Sequence, residues 1–423
     1  MHVAMLSGEY PPRWGGMGST VFHLSNALAK MGHKVTVITR RDSKAIKNPS
    51  LIPKLDGVNV RMVKWAKIPM AFTRSYGRHA LKELLRLHKV DPVDAVHVHA
   101  PMISWTAGQF AKVRAEIGNV TTTLHGSWLG ERDGMLRAAK YGESATWKNP
   151  NDLAILLTAK HYAKYERAAV RGSTVCVANS EATKRDFEQR YDPPQNWRVE
   201  VVRWGVDIEM FHPQNHDDED SQLAHEKMRR RYGNPDENAL RGLPETKTPL
   251  LLAVGRLAGR KGFRTLLRAM PAILSENSGA HLVIVGRGHM RKTLLKQAKN
   301  LGIQEAVTIE SGMPFSDLAQ LFRSANLSVY PSLYEGQGLI PLESMASGTP
   351  CATVNDGPLP EMVDETVGGL FEVGNPASLA KTVNNLLGNP ENIPELVANG
   401  QKRVADEYTY RLNAEKYAIF YSE

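Results

Sequence analysis

Leu327–Val354 reads LSVYPSLYEGQGLIPLESMASGTPCATV, and its order of elements decides the fold. The β-branched and aromatic run LSVYPS has the composition of a strand, and so does TPCATV after Gly348. Between them Gly336 and Gly338 open a turn, and Pro341 suits the first turn of a helix, where no amide hydrogen is needed. Strand, helix and strand in succession form the unit of a parallel sheet covered by helices. The same alternation continues outward: HVAMLS, KVTVIT, VNVRMV, AVHVHA, VTTTLH, TVCVANS and VEVVRW precede residue 205, and PLLLAVG, HLVIVGRG and AVTIES follow Thr248. This pattern predicts an α/β protein of two doubly wound Rossmann-like domains that hold ligand in a deep cleft between them, at the carboxyl ends of the strands.

A chain of 423 residues exceeds one ordinary core and suits two. The expected division is 1–208 for the first domain, 209–247 for a charged linker or insertion with one helix near Ala224–Tyr232, and 248–405 for the second domain. Residues 406–423, with aromatics at helical spacing, form a terminal helix expected to pack back on the first domain. A charged fraction of 23% with ordinary apolar content excludes a disordered or fibrous chain. No apolar run reaches the roughly 20 residues of a membrane span. The start, MHVAMLSGEYPP, lacks the basic flank and cleavage site of a signal peptide, so the expected location is cytoplasmic. Cys176 and Cys351 lie in strand-like runs as buried thiols, with neither disulfide nor zinc cluster indicated. The net charge of +9 favours anionic partners, although nucleic acid is not expected among them.

Two carboxylates, Glu335 and Glu343, stand in a segment otherwise made of glycine, proline and small apolar residues. A buried carboxylate costs several kcal/mol unless something binds it, so the pair points to a ligand. Bare amides at Gly336, Gly338, Leu339 and Ile340, at a helix start, favour a phosphate. Glu343, one turn on, is placed to accept from a vicinal diol such as a ribose, and Glu335 faces the group beyond the phosphate. The turn after PLLLAVG reads GRLAGRKGF and brings Arg256, Arg260 and Lys261 to a strand end, where cations neutralise a diphosphate. Gly286 and Gly288 follow the next strand without the third glycine of a dinucleotide fingerprint, and Gly286 is a further candidate for binding the phosphorylated donor. Near the start, Gly15, Gly16 and Gly18 precede a helix and form a second amide-lined turn. His97 and His99 alternate on one strand face, and His125 closes VTTTLH before Gly126; imidazoles at such strand ends donate to sugar hydroxyls.

Taken together these segments resemble the retaining nucleotide-sugar glycosyltransferases of the GT-B fold, of the group 1 type. The resemblance runs through EYPPRWGG, GHKVTVIT, HVHAP, TLHG, GVDIEMF, GRLAGRKG, LVIVGRG, EGQGLIPLESMASGTP and GPLPEMV, nearly the whole chain. It implies that Glu343 binds the ribose hydroxyls, that Arg256 and Lys261 bind the diphosphate, and that Gly16 offers its amide to the phosphate. It further implies that Glu335 lies beside the transferred sugar and that His125 contacts it. The chain departs from the family pattern in two places. Gln337 stands where the family has an aromatic, and Arg203 and Trp204 replace Pro-Asn before Gly205, which makes Trp204, together with His99, the acceptor-side candidate.

The reaction so implied is hexosyl transfer from a nucleotide diphosphate sugar to an acceptor hydroxyl, with retention, without metal and without cofactor. Arg256, Lys261 and the helix amides stabilise the departing diphosphate, with His125 and Glu335 beside the reacting centre. An epimerase of the same architecture and a non-catalytic nucleotide-sugar-binding protein are the alternatives. Asp218 and Asp220 imitate an Asp-x-Asp metal motif but lie in the polar linker without a preceding strand. Arg61–Lys89, basic and rich in leucine, fits a peripheral contact with an anionic membrane; a surface helix whose leucines pack on the sheet is the competing reading.

Overall fold

The computed structural model of the protein describes residues 1–143, 149–232 and 248–423. The chain divides into two units: Met1–Asp133, Trp147–Gly205 and Tyr408–Glu423 form the first, and Gly134–Thr146 and Val206–Glu407 the second.

The first unit carries β1 (His2–Ser7), β2 (Lys34–Arg40), β3 (Val58–Val63), β4 (Ala95–Ala100), β5 (Asn119–Leu124), β6 (Val175–Ala178) and β7 (Val199–Val201). They form one parallel sheet in the order β3-β2-β1-β4-β5-β6-β7. Every residue of β1 and β4 is buried, because helices cover both faces of the sheet. On one face Val3, Met5, Val35 and Val37 pack with Val21, Leu24 and Leu28 of the Gly16–Lys30 helix and with Ala414, Tyr417 and Phe420 of the terminal Tyr410–Tyr421 helix. The terminal helix is pinned by polar contacts as well. Gly205 N–H donates to Asn413 Oδ1 at 2.7 Å, and a Cβ at Gly205 would come within 2.5 Å of Tyr410 N. On the other face Leu84 and Leu87 of the Ala71–Val90 helix are buried and Leu81 packs beside them, so these leucines are spent on the sheet and are not available to lipid.

In the second unit β8 (Leu250–Val254), β9 (His281–Val285), β10 (Val307–Glu310), β11 (Leu327–Tyr330), β12 (Cys351–Val354) and β13 (Gly368–Phe371) form a parallel sheet in the order β10-β9-β8-β11-β12-β13. The strand order reverses between β8 and β11, and ligands of doubly wound sheets bind at such a switch point. The quoted stretch is the expected β-α-β unit. β11 ends at Tyr330, the helix spans Ile340–Ala346 with Pro341 in its first turn, and β12 pairs with β11 in parallel register.

The sequence predicts an unbroken first domain over 1–208, whereas Gly134–Thr146 groups with the second unit. The reason lies in what this stretch touches there. The buried Glu143 carboxylate accepts the amides of Arg264 (2.9 Å) and Thr265 (2.7 Å), the second and third residues of the Phe263–Glu276 helix, and thereby caps it. The start of the expected linker also belongs to the second unit: Arg323 donates to the carbonyls of Met210 and His212. Its helix spans Glu219–Arg231, and Arg229 fastens it to the carbonyls of Ser324 and Thr248. Asp218 is the N-cap of that helix, accepting from Ser221 N, which accounts for one acid of the Asp-x-Asp imitation. Residues 233–247 of the expected insertion lie outside the described residues.

Candidate active site

In the second unit three strand-end turns lock together through backbone contacts that only glycine allows. A Cβ at Gly286 would lie 1.8 Å from Gly255 O, and one at Gly262, whose φ is +70°, would lie 2.0 Å from Pro331 O. The turns after β8, β9 and β11 are thus held against one another around the switch point. Gly286, expected in donor binding, serves this close approach.

The β8 turn delivers Lys261 to the β11 turn. Lys261 Nζ is ion-paired with Glu335 and donates to Tyr330 Oη at 3.0 Å. Glu335 Oε1 also accepts from Tyr330 Oη and from Ser332 Oγ, each at 2.6 Å. Burial works to raise this carboxyl, and Lys261, Ser332 and Tyr330 outweigh it, holding the group below the usual carboxylate range. Burial likewise lowers Lys261 although Glu335 supports its charge. The two residues predicted to face ligand therefore face each other. Arg256, on the same turn, is exposed, and its guanidinium makes neither hydrogen bond nor ion pair among the described residues. Its charge is felt by Lys261.

Gly336–Ile340 forms the turn into the next helix. Gly338 has φ +100°, a left-handed conformation that costs a side-chain-bearing residue. Leu339 is the N-cap and Ile340 the first helical residue, so their amides belong to the group that finds no acceptor inside the helix. Gln337 is fully buried, an interior position where an aromatic is the family's choice. Glu343 is only partly exposed, and its carboxylate has no hydrogen bond or ion pair among the described residues. Burial, with the Asp207 carboxylate adding to it, pushes Glu343 up to about 7.

In the first unit Gly16 opens the Gly16–Lys30 helix with no side-chain cap, and a Cβ at Gly18 would meet Arg13 O at 2.6 Å. His125 follows β5, and Gly126 turns the chain away at φ +122°. His125 Nε2 and His99 Nδ1 are 2.8 Å apart, and the Trp204 ring lies 4.5 Å from the His125 ring. The structure thus brings His99, His125 and Trp204 together. Burial lowers His99 to about 3 and His125 well below its ordinary value, so both are neutral.

Several residues beside the site gave no signal in the sequence. Glu166, pushed up to about 8 by burial, accepts from Trp128 N at 2.9 Å and from Tyr191 Oη at 2.6 Å, holding the chain just past His125. On a helical stretch such as AKYERAAV a glutamate reads as solvent-facing. Within the second unit Arg137 is ion-paired with Asp356 and donates to Leu333 O at 3.4 Å, and Gly134 approaches Tyr334 so closely that a Cβ would lie 2.6 Å from it. The Trp128–Lys140 helix carries Gly134 and Arg137.

Two doubly wound units, one with Arg256, Lys261 and Glu343 on the strand-end turns and first helical turn around its switch point, are a class of fold in which ligand binds at such a point. The family description "Glycosyl transferases group 1" matches residues 236–403, and "Glycosyltransferase Family 4" matches 14–210. A glycogen synthase from Mycobacterium tuberculosis is 27% identical over 441 aligned residues, covering 100% of this chain and 94% of that protein. The sucrose-phosphate synthase of Thermosynechococcus elongatus superposes with a TM-score of 0.77 at 20% identity, covering 100% of this chain and 98% of that one. HepE of Anabaena, solved in complex with UDP and glucose, superposes with a TM-score of 0.70 at 17% identity, covering 100% and 99%. The chain belongs to the group 1 glycosyltransferases and has their GT-B fold.

Proposed function

We propose that the protein is a retaining, metal-independent hexosyltransferase that moves a sugar from a nucleotide diphosphate donor to an acceptor hydroxyl. The observation that carries this reading is Glu343, a recessed carboxylate without a partner among the described residues, one turn behind the bare amides of Leu339 and Ile340. A ribose diol supplies the two donors it lacks, and the amides with Arg256 meet the diphosphate. The UDP and glucose of the HepE complex, and the glucan product in the mycobacterial relative's name, support the same ligand class.

In the reaction the bond from the anomeric carbon to the phosphate oxygen breaks, and negative charge grows on the leaving diphosphate. Arg256 and the first-turn amides stabilise that charge, and Lys261 adds its field from within its ion pair with Glu335. Retaining hydrolases use two carboxyl groups about 5 Å apart, one of them a nucleophile. Glu335 is a poor nucleophile, because its Oε1 is committed to three donors. Front-face attack by the acceptor hydroxyl, with its proton passing to the departing phosphate, needs no enzyme nucleophile. His125 contacts the transferred sugar and Trp204 lies on the acceptor side, whereas His99, expected there too, is fully buried and hydrogen-bonded to His125.

The test is a panel of UDP-, GDP- and ADP-sugars screened by thermal stabilisation, followed by NMR of the anomeric configuration of the product in EDTA. A stabilising donor and a retained configuration are expected. Epimerised donor without transfer, an inverted product or loss of turnover in chelator would each overturn part of the reading. A peripheral contact with anionic membrane is also proposed, and it rests on charge: Arg74, Arg78 and Lys82 are exposed on the Ala71–Val90 helix, whose Leu81, Leu84 and Leu87 pack in the core. Flotation with anionic vesicles at low salt tests it; no binding ends it.

A further inference from the structure

Arg40 closes β2 at the carboxyl edge of the first unit's sheet, one strand from the point where the strand order reverses between β1 and β4. Ligands of doubly wound sheets bind outside this edge. Its Nε–H donates to the carbonyl of Gly8, the residue after β1. The guanidinium is also held against two rings, with its carbon 4.7 Å from the centroid of Trp65 and 4.7 Å from that of Phe72. Trp65 is fixed in turn, because its indole N–H donates to Arg41 O at 2.9 Å. Stacking and one hydrogen bond thus orient the group, while Nη1 and Nη2 make no hydrogen bond or ion pair among the described residues. Neither of these nitrogens is among the unpartnered atoms closed to solvent.

The surrounding charges leave this cation without a counter-ion in contact. Arg13, whose charge Arg40 feels, is itself committed: it donates to Arg40 O at 3.3 Å and Arg41 O at 3.1 Å and pairs with Asp42 at 3.0 Å. Burial and the Arg13 charge lower Arg40, and Glu9 and Tyr76 oppose this without forming an ion pair with it. Arg41 and Lys64, exposed at the ends of β2 and β3, add positive charge at the same edge. A guanidinium so fixed, with two nitrogens open, is a fork that matches a planar or tetrahedral oxyanion. Because stacking has already ordered the side chain, little rotamer freedom is left to lose on binding.

We propose that Arg40 is a specificity-determining residue for the acceptor: its Nη1–H and Nη2–H bind an oxyanion, a phosphate or carboxylate group that the acceptor carries beside its reacting hydroxyl. That the oxyanion belongs to the acceptor rests on the proposed function, in which the second unit holds the donor's diphosphate. The anion site itself does not depend on it.

The deciding measurement is NMR of the full chain labelled with ¹⁵N at arginine, read at the Nε–H resonances while inorganic phosphate, acetate and UDP are titrated separately. The Arg40 resonance is the one absent from Arg40→Lys. A saturable shift of that resonance with phosphate or acetate is expected, and the anion that saturates it at the lower concentration tells a phosphate site from a carboxylate site. A resonance that neither anion moves overturns the proposal. So does a shift with UDP alone, which would assign the fork to the donor. Trp65→Leu, which withdraws one ring and leaves the guanidinium, is expected to weaken the anion about threefold, the worth of one cation–π contact; unchanged affinity in the folded variant overturns the clamp. The kinetic arm uses the best nucleotide sugar among UDP-glucose, GDP-mannose and ADP-glucose, with neutral sugars and their phosphate and uronic acid counterparts as acceptors. Wild type is expected to prefer the anionic member of a pair in kcat/KM, and Arg40→Gln to reduce that preference about tenfold, the worth of a charged hydrogen bond. A wild type that prefers the neutral member overturns the proposal. If no sugar nucleotide binds, it is the proposed function that fails, and the anion titration still decides the site.

Discussion

Lys261 and Glu335 form an ion pair in which the side chains are only 12% and 14% exposed, and Tyr330 and Ser332 donate to the same carboxylate oxygen. Removing one partner of such a pair leaves a charge that water cannot reach, at a cost of about 3–5 kcal/mol. Lys261→Ala is therefore expected to lower the urea midpoint strongly, and Lys261→Met combined with Glu335→Gln to recover much of it without recovering turnover. The folded carboxyl lies below its unfolded value. Its stabilisation is present above the unfolded value and is lost as pH falls through the depressed one, so the gap between wild type and Glu335→Gln should close towards acid. Wild-type stability in Lys261→Ala would show the pair to be ornamental.

Glu343 carries the opposite sign. Its folded value of about 7 lies above the unfolded one, so its contribution to stability is fully present below the unfolded value and is lost as pH rises through about 7. Glu343→Gln, neutral at every pH, should match wild type near pH 5 and exceed it in melting temperature at pH 8. Nucleotide binding should behave in reverse, because a diol donates to the ionised form. Affinity for the nucleotide is expected to rise between pH 6 and 8 in wild type, with proton release on binding at pH 7, and to be weak and flat in Glu343→Gln. Calorimetry in buffers of different ionisation enthalpy measures that proton, and a pH-independent affinity in wild type would count against the ribose contact.

The contrast between these two glutamates shows what a sequence makes legible. Strands covered on both faces must be apolar throughout, so the twelve runs quoted from the sequence all became strands, in the two halves expected. The thirteenth, Gly368–Phe371, escaped because GGLF is short and its two glycines lack β propensity. Turn chemistry was equally legible, since Pro341 and Gly338 are constrained by backbone geometry that the chain cannot evade. Partnership between distant side chains was not. Nothing near Lys261 indicates that Glu335 meets it, and nothing in YGESATW indicates that Glu143 leaves its own half of the chain to cap a helix beginning at Phe263. Such pairings depend on tertiary position, which local spacing does not encode.

Glu143 is fully buried, accepts the amides of Arg264 and Thr265 and the Thr265 hydroxyl, and is met by Arg268 at 3.3 Å. Loss of a helix cap costs about 0.5–2 kcal/mol, and the unmet Arg268 adds to it. Glu143→Ala should therefore lower stability by about 2 kcal/mol. Because the capped helix follows directly on the Arg260–Lys261 turn, nucleotide affinity should weaken as well. Glu143→Gln, which keeps an acceptor for the amides, should fall between. Chemical denaturation and nucleotide titration on the same samples check this; an unchanged midpoint in Glu143→Ala would refute the capping role.

Arg256 offers the cleanest separation of chemistry from folding. Its guanidinium is exposed and unpaired among the described residues, so Arg256→Ala should leave the denaturation midpoint within about 0.5 kcal/mol of wild type. If the leaving diphosphate is stabilised by this cation, the same substitution should cut kcat by about 10²–10³, the scale of removing one preorganised electrostatic contact. Arg256→Lys keeps the charge but loses the two-pronged geometry, and should fall between. A divalent metal doing the same work would make Arg256→Ala mild and turnover chelator-sensitive. Measuring kcat for the three proteins with and without EDTA therefore distinguishes a guanidinium from a metal as the group that receives the departing charge.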